Sequence, residues 1–298
     1  MGTDPIALVF PGQGSQRPGM ATWWKEHPAF ARWAEADELL GRDITRLGLE
    51  ASPSELRQPV NCQVALFVHG TVILDAWREA GGEVPAVVAG HSLGEYNALV
   101  AADVIDFAEA LRLVDARAHA TQEAADDAPG TMVACLGFDV EEVEQACANA
   151  GAHIANDNAP GQIVAAGSDD ALDALKEELA TGKGRIIDLD VGAAYHSPHM
   201  EPAASAFGKH LEGVRFRDAS IGVVANVDAR PHTDASEWPG LLREQLVAPV
   251  RWRETVLAFA DLGIKEVVEL CATPVLCGLV KRTDRTIARR AVATPEEL

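Results

Sequence analysis

Basic residues are scarce in this chain. It carries 25 Lys and Arg against 45 Asp and Glu, a formal net charge of −20. Such a field repels polyanions, so neither nucleic acid nor an anionic membrane is expected as a partner. Cysteine is sparse too. Cys62, Cys135, Cys147, Cys271 and Cys277 are odd in number and include no C-x-x-C pair. That argues against a disulfide framework and a structural zinc site, and no metal is expected. No charged-then-apolar leader opens the chain, and no apolar run is read as long enough to span a bilayer. The expectation is a soluble cytoplasmic protein. Repeats at solenoid periods are also missing. What is present is 298 residues, 48% of them hydrophobic, enough for one large core or a core plus a smaller inserted domain. One segment runs against the acidic trend, Lys281-Arg282-Thr283-Asp284-Arg285 with Arg289-Arg290. It reads as a solvated C-terminal face, or alternatively as a patch for an acidic partner or a nucleotide phosphate.

A short apolar strand is predicted at Ile6 to Phe10, followed by the turn Pro11-Gly12-Gln13-Gly14-Ser15-Gln16. Helices are predicted over 62–81 and 107–125, with a strand at Ala86–Ala89 between them. This alternation implies an α/β fold with a mostly parallel sheet covered by helices. From residue 131 the pattern changes to strand, helix, two short strands around Ala159-Pro160-Gly161, helix and strand. That β-α-β-β-α-β order is the ferredoxin-like arrangement. We expect it as a small inserted domain over 127–195, leaving 1–126 and 196–298 as one discontinuous catalytic domain. Strand–helix elements resume in "SIGVVANVDA" and "GIKEVVELCA".

The stretch "VVAGHSLGEYNALVAA" (87–102) places G-x-S-x-G between a predicted strand and helix, the signature of a nucleophile elbow. Such a turn lifts the Ser92 hydroxyl clear of the backbone and sets it at the positive end of the next helix. A buried Gly-Ser turn without chemistry is the competing reading. A serine nucleophile needs a base. Of nine histidines, His27, His210 and His232 sit in polar surroundings, His69 and His119 inside helices, and His153 in the inserted unit. The side chain of His91 is expected to point away from its neighbour Ser92. His196 and His199 remain, where the chain leaves the small domain for a cleft; the residues alone do not choose between them. Leu93 can offer one oxyanion N–H, and the Gly12-Gln13-Gly14 loop a second. Arg117 lies over Leu113 and Val114 on the apolar stripe of its helix, so it needs an anionic partner. That partner is either an internal Asp or Glu or a substrate carboxylate gripped at two points.

Together these segments resemble malonyl-CoA:acyl-carrier-protein transacylases and the acyltransferase domains of polyketide synthases. The likeness runs through "VFPGQGSQ" (9–16), "CQVAL" (62–66), "GHSLGEYNALVAA" (90–102), "RLVDARAHATQEA" (112–124), "NDNAPGQIVAAG" (156–167), "YHSPHM" (195–200), "ANVDA" (225–229), "PVRW" (249–252) and "PVLCGLVKR" (274–282). The resemblance implies an α/β-hydrolase-like large domain with the ferredoxin-like insertion. It implies Ser92 as the acylated nucleophile, His196 as the base, Gln13 and Leu93 N–H groups as the oxyanion hole, and Arg117 as the carboxylate fork. It further implies Asn158 as a cleft residue and a main-chain carbonyl in Val250-Arg251 to orient the histidine. The implied reaction moves malonyl from malonyl-CoA to the phosphopantetheine thiol of acyl carrier protein by a malonyl-serine ester, with no bound cofactor and a monomeric chain. The runners-up are a trans-acting polyketide acyltransferase or an acyl hydrolase using another acyl group, a lipase of the serine–aspartate type, and a non-catalytic carrier-docking module. Departures from the family pattern are Thr121 where methionine is usual, Tyr195 for phenylalanine, and Cys271-Ala272-Thr273 for Gly-Pro-Gly.

Overall fold

The computed structural model describes residues 4–298. Its strands are β1 (Ile6–Phe10), β2 (Val87–Gly90), β3 (Thr131–Leu136), β4 (His153–Ala159), β5 (Gln162–Gly167), β6 (Arg185–Asp188), β7 (Gly222–Val224), β8 (Pro231–His232), β9 (Glu266–Leu270) and β10 (Ala288–Val292). Two sheets result. The first has the order β10-β9-β1-β2-β7-β8 and is parallel throughout except for the β7–β8 pair. Its central strands IALVF and VVAG are buried at every position. That is the mark of parallel strands covered by helices on both faces, and it explains their unbroken apolar sequence.

The helix Pro59–Glu79 supplies much of one covering layer. It is long and apolar enough to cross a membrane by length and composition, which corrects the expectation that no run reaches that length; 83% of its apolar window is buried inside the fold. Its apolar surface is taken up on several sides, as it packs on the helices Gly94–Ala101 and Phe107–Asp127. Phe67 stacks on Phe107 with ring centroids 5.6 Å apart. Phe107–Asp127 starts where Asp106 Oδ1 accepts the Glu109 N–H at 2.9 Å, a side-chain N-cap.

Residues 131–188 form the second sheet, order β4-β5-β3-β6, antiparallel throughout, with helices Val140–Ala150 and Asp169–Glu178 packed on one face. The β-α-β-β-α-β order is as read from the periodicity. Its last strand is shorter than expected: β6 ends at Asp188, Leu189 N–H still reaches Met132 O at 3.0 Å, and Leu189 and Val191 line the cavity that holds Ser92. The run 220–229 likewise yields only the three-residue β7, followed by a turn. The two units are stitched where Val250 pairs with Asn156. Its N–H donates to Ala155 O at 2.9 Å and its C=O accepts from Asp157 N at 3.0 Å. Arg253 grips the Asp157 carboxylate beside this bridge, with Nη2–Oδ2 at 2.7 Å.

Candidate active site

The chain turns sharply between β2 and the helix Gly94–Ala101. A Cβ on Gly90 would stand 1.9 Å from the carbonyl carbon of Gly94, so no side chain fits there. Ser92 takes φ 52°, a left-handed conformation that costs a non-glycine residue about 1–3 kcal/mol. The surroundings hold it in place. Asn226 Oδ1 accepts the Ser92 N–H at 2.7 Å, and Gln245 Nε2 donates to the Ser92 carbonyl at 2.9 Å.

His196 also has a left-handed backbone, φ 55°. Its Nε2 lies 2.8 Å from Ser92 Oγ and its Nδ1 2.8 Å from the main-chain oxygen of Gln245. A carbonyl only accepts, so Nδ1 carries the proton and Nε2 presents a lone pair to the serine. Burial, and then the Arg117 charge, pull the His196 pKa down to about 3. The ring is therefore neutral across the physiological range. His199 is turned away, its N–H and Nδ1 on Ser197 Oγ and its ring against His153. The orienting carbonyl expected at Val250-Arg251 is instead that of Gln245. The Val250 C=O accepts from Asp157 N–H at 3.0 Å and the Arg251 C=O from Thr255 N–H at 3.0 Å, so both carbonyls are engaged elsewhere.

Arg117 is 2% exposed. Its Nη1 donates to Gln63 Oε1 at 2.6 Å, and its Nη2 reaches Ser92 Oγ at 3.1 Å and Gln245 Oε1 at 3.2 Å. Among the described residues no carboxylate lies within ion-pairing distance of it, so the internal Asp or Glu partner is not found. Guanidinium cannot accept a hydrogen bond. With Arg117 donating to Oγ, the serine proton is left to point at His196. Thr121 supports the fork from behind, accepting from Gln63 Nε2 at 3.3 Å and donating to Ala118 O at 3.1 Å.

A cavity of about 130 Å³ opens over this cluster, lined by Gln13, His91, Ser92, Arg117, Met132, Asn156, Leu189, Val191, Tyr195 and His196. His91 contributes to the wall of this cavity, but its side chain is engaged away from the Ser92 hydroxyl, as expected. Its Nε2 meets Asn158 Oδ1 at 2.8 Å and its ring leans on Trp252. Asn158 sits on the wall of an adjoining cavity of about 470 Å³, with Gln162, Val275 and Leu279. The Gly12-Gln13 turn lies against the elbow: a Cβ on Gly12 would stand 2.6 Å from His91 O and 3.6 Å from Leu93 N. Among the described residues neither Gln13 N–H nor Leu93 N–H has an internal acceptor. Two free donors therefore flank the serine. The described residues contain no cluster of His, Cys, Asp or Glu suited to a metal ion. Gln63, Asn226 and Gln245 were missed from the sequence; polar residues inside apolar runs, as Gln63 is, were the available signal.

Residues 7–295 match the family of acyl transferase domains. The chain is 36% identical over 300 residues to the malonyl CoA-acyl carrier protein transacylase of Escherichia coli K12, covering 98% of this chain and 97% of that one. It superposes with a TM-score of 0.94 on the crystal structure of malonyl-CoA:acyl carrier protein transacylase from Xanthomonas oryzae, at 38% identity and with 100% and 97% of the two chains covered. A type II PKS acyl-carrier protein in complex with its malonyl-transacylase gives a TM-score of 0.93, at 37% identity over 97% of this chain and 96% of that one.

Proposed function

The chain belongs to the acyl transferase domain family, and from that premise we propose that it moves malonyl from malonyl-CoA to the thiol of an acyl carrier protein through Ser92. One observation carries the reading. Ser92 Oγ is held at once by a neutral imidazole nitrogen at 2.8 Å and a buried guanidinium at 3.1 Å. The first makes an alkoxide accessible; the second waits for an anion.

Ser92 Oγ attacks the thioester carbonyl while its proton passes to His196 Nε2. The tetrahedral oxyanion falls between the Gln13 and Leu93 N–H groups, an arrangement in which each donor is worth about 3–4 kcal/mol to the transition state. Collapse breaks the C–S bond, and CoA leaves with the proton that His196 returns. The malonyl ester keeps its free carboxylate on Arg117, a charge-assisted grip that selects a diacid. The carrier's phosphopantetheine thiol then gives its proton to His196, attacks the ester and regenerates Ser92. No cofactor enters these steps. Tyr195 lines the cavity wall, and by analogy with the family a bulky ring beside the base favours malonyl over methylmalonyl.

We read the unit carrying the parallel sheet as α/β-hydrolase-like, spanning 1–126 and 196–298, and the unit at 127–195 as ferredoxin-like. A monomer acting in the cytoplasm fits the rest of the proposal. Intact-protein mass spectrometry tests it. The expected result is one malonyl group on Ser92 after malonyl-CoA, transferred onward when phosphopantetheinylated carrier is added, and no adduct on Ser92→Ala. An adduct lost to water as fast without a thiol acceptor would make the protein an acyl hydrolase. Lack of any adduct would remove the proposal.

A further inference from the structure

Glu95 is 1% exposed, one residue past the elbow. Its Oε1 accepts the Asn226 main-chain N–H at 2.7 Å and Asn226 Nδ2 at 3.1 Å, and its Oε2 accepts from Gln245 Nε2. These two partners reach the reacting groups. Asn226 holds the Ser92 N–H, and Gln245 holds the Ser92 C=O, the His196 Nδ1–H and Arg117 Nη2. Nucleophile, base and carboxylate fork are thus each one residue away from a single carboxylate.

We propose that Glu95 is a positioning residue that keeps Ser92, His196 and Arg117 in one reactive register through Asn226 and Gln245. The inference rests on the Ser92–His196 reading above. Three N–H donors converge on the two carboxylate oxygens. An amide at this position offers one acceptor oxygen and turns an NH₂ toward Gln245 Nε2. Gln245 cannot flip in response: its oxygen would then meet the Ser92 carbonyl, and its NH₂ would meet Arg117. Burial pushes the Glu95 pKa up to about 7, against the pull of Asn226, Gln245 and Arg117. At pH 8 it is an acceptor on both oxygens.

The test uses a fluorophosphonate, which reports the register of Ser92 and His196 independently of any acyl group. Ser92 Oγ bonds to phosphorus, the P–F bond breaks, fluoride leaves, and the hydroxyl proton passes to His196. At pH 8, E95Q is expected to label about 10²-fold more slowly than the natural chain, the effect typical of a small misplacement of reacting atoms. Its kcat should fall by the same factor for malonyl-CoA and acetyl-CoA. In E95D the carboxylate keeps both acceptor oxygens for Asn226 and Gln245 and leaves the Gln245 amide on the Ser92 carbonyl. That variant should label at least tenfold faster than E95Q. Labelling of folded E95Q within threefold of the natural chain, or no recovery in folded E95D, overturns the proposal. If E95Q does not fold, Gln245→Met carries the test: at least a tenfold loss supports the proposal and an unchanged rate overturns it. Normal labelling without malonyl transfer would overturn the proposed function while leaving the Glu95 assignment standing.

Discussion

Replacing Arg117 with alanine separates carboxylate recognition from general damage to the site. The side chain is buried, its internal partners are two neutral amide oxygens and the serine hydroxyl, and it meets no carboxylate among the described residues. Bound malonyl would complete a buried ion pair. Removing one partner of such a pair costs about 3–5 kcal/mol, which corresponds to a fall of roughly 10²–10³ or more in the second-order rate of Ser92 acylation by malonyl-CoA. Acetyl-CoA has no distal anion, so its rate should fall by at least tenfold less, losing only the help Arg117 gives in directing the Ser92 proton. The assay is rapid-quench acylation followed by intact mass, with both acyl-CoAs on both proteins, and a thermal melt to confirm folding. Equal losses for the two acyl groups would refute the fork and leave Arg117 only the task of directing the Ser92 proton.

Further outcomes are expected at His196, at Gly90 and at the cysteines. The His196 ring resonances should show no titration near the ordinary histidine pKa, since burial and Arg117 hold its pKa near 3. In R117A one of these causes is gone and the midpoint should move up; NMR across pH 4–8 reads both. The same depressed pKa makes the unfolded chain bind a proton that the fold refuses. This group's contribution to stability is therefore present above about pH 6.5 and declines as pH falls toward 3, which urea unfolding at pH 7.5 and 5.5 measures. Gly90→Ala forces a Cβ into the backbone of the next turn and should cost at least about 3 kcal/mol together with most of the activity; stability within 1 kcal/mol of the natural chain would show that the elbow yields. Burial pushes the thiols of Cys62, Cys147 and Cys277 up to about 12 and that of Cys135 to about 11. The native protein should react slowly with iodoacetamide at pH 8 and carry all five adducts only after denaturation.

Much of this molecule could be read along the chain because its causes are local. Unbroken apolar runs mark β1 and β2, and the 3.6-residue stripe of 107–127 already showed Arg117 among core positions. The glycines of the elbow announced a turn that excludes side chains. Other features had no local cause. His196 and His199 were equivalent on residue chemistry, and the fold chose by aiming Nε2 of the first at Ser92 while Ser197 and His153 engaged the second. The carbonyl that orients His196 comes from Gln245, 49 residues away, and the amide that steadies the Ser92 carbonyl spans 153 residues. Val250 was close in sequence to that role, but its backbone groups were consumed in joining the two sheets. Hydrophobic period and turn stereochemistry are set by near neighbours, so the sequence alone determined the strands, the helices and the serine at the bend. Which donor meets which acceptor depends on the path of the whole chain, so only the tertiary structure decided what holds that serine, its base and its arginine together.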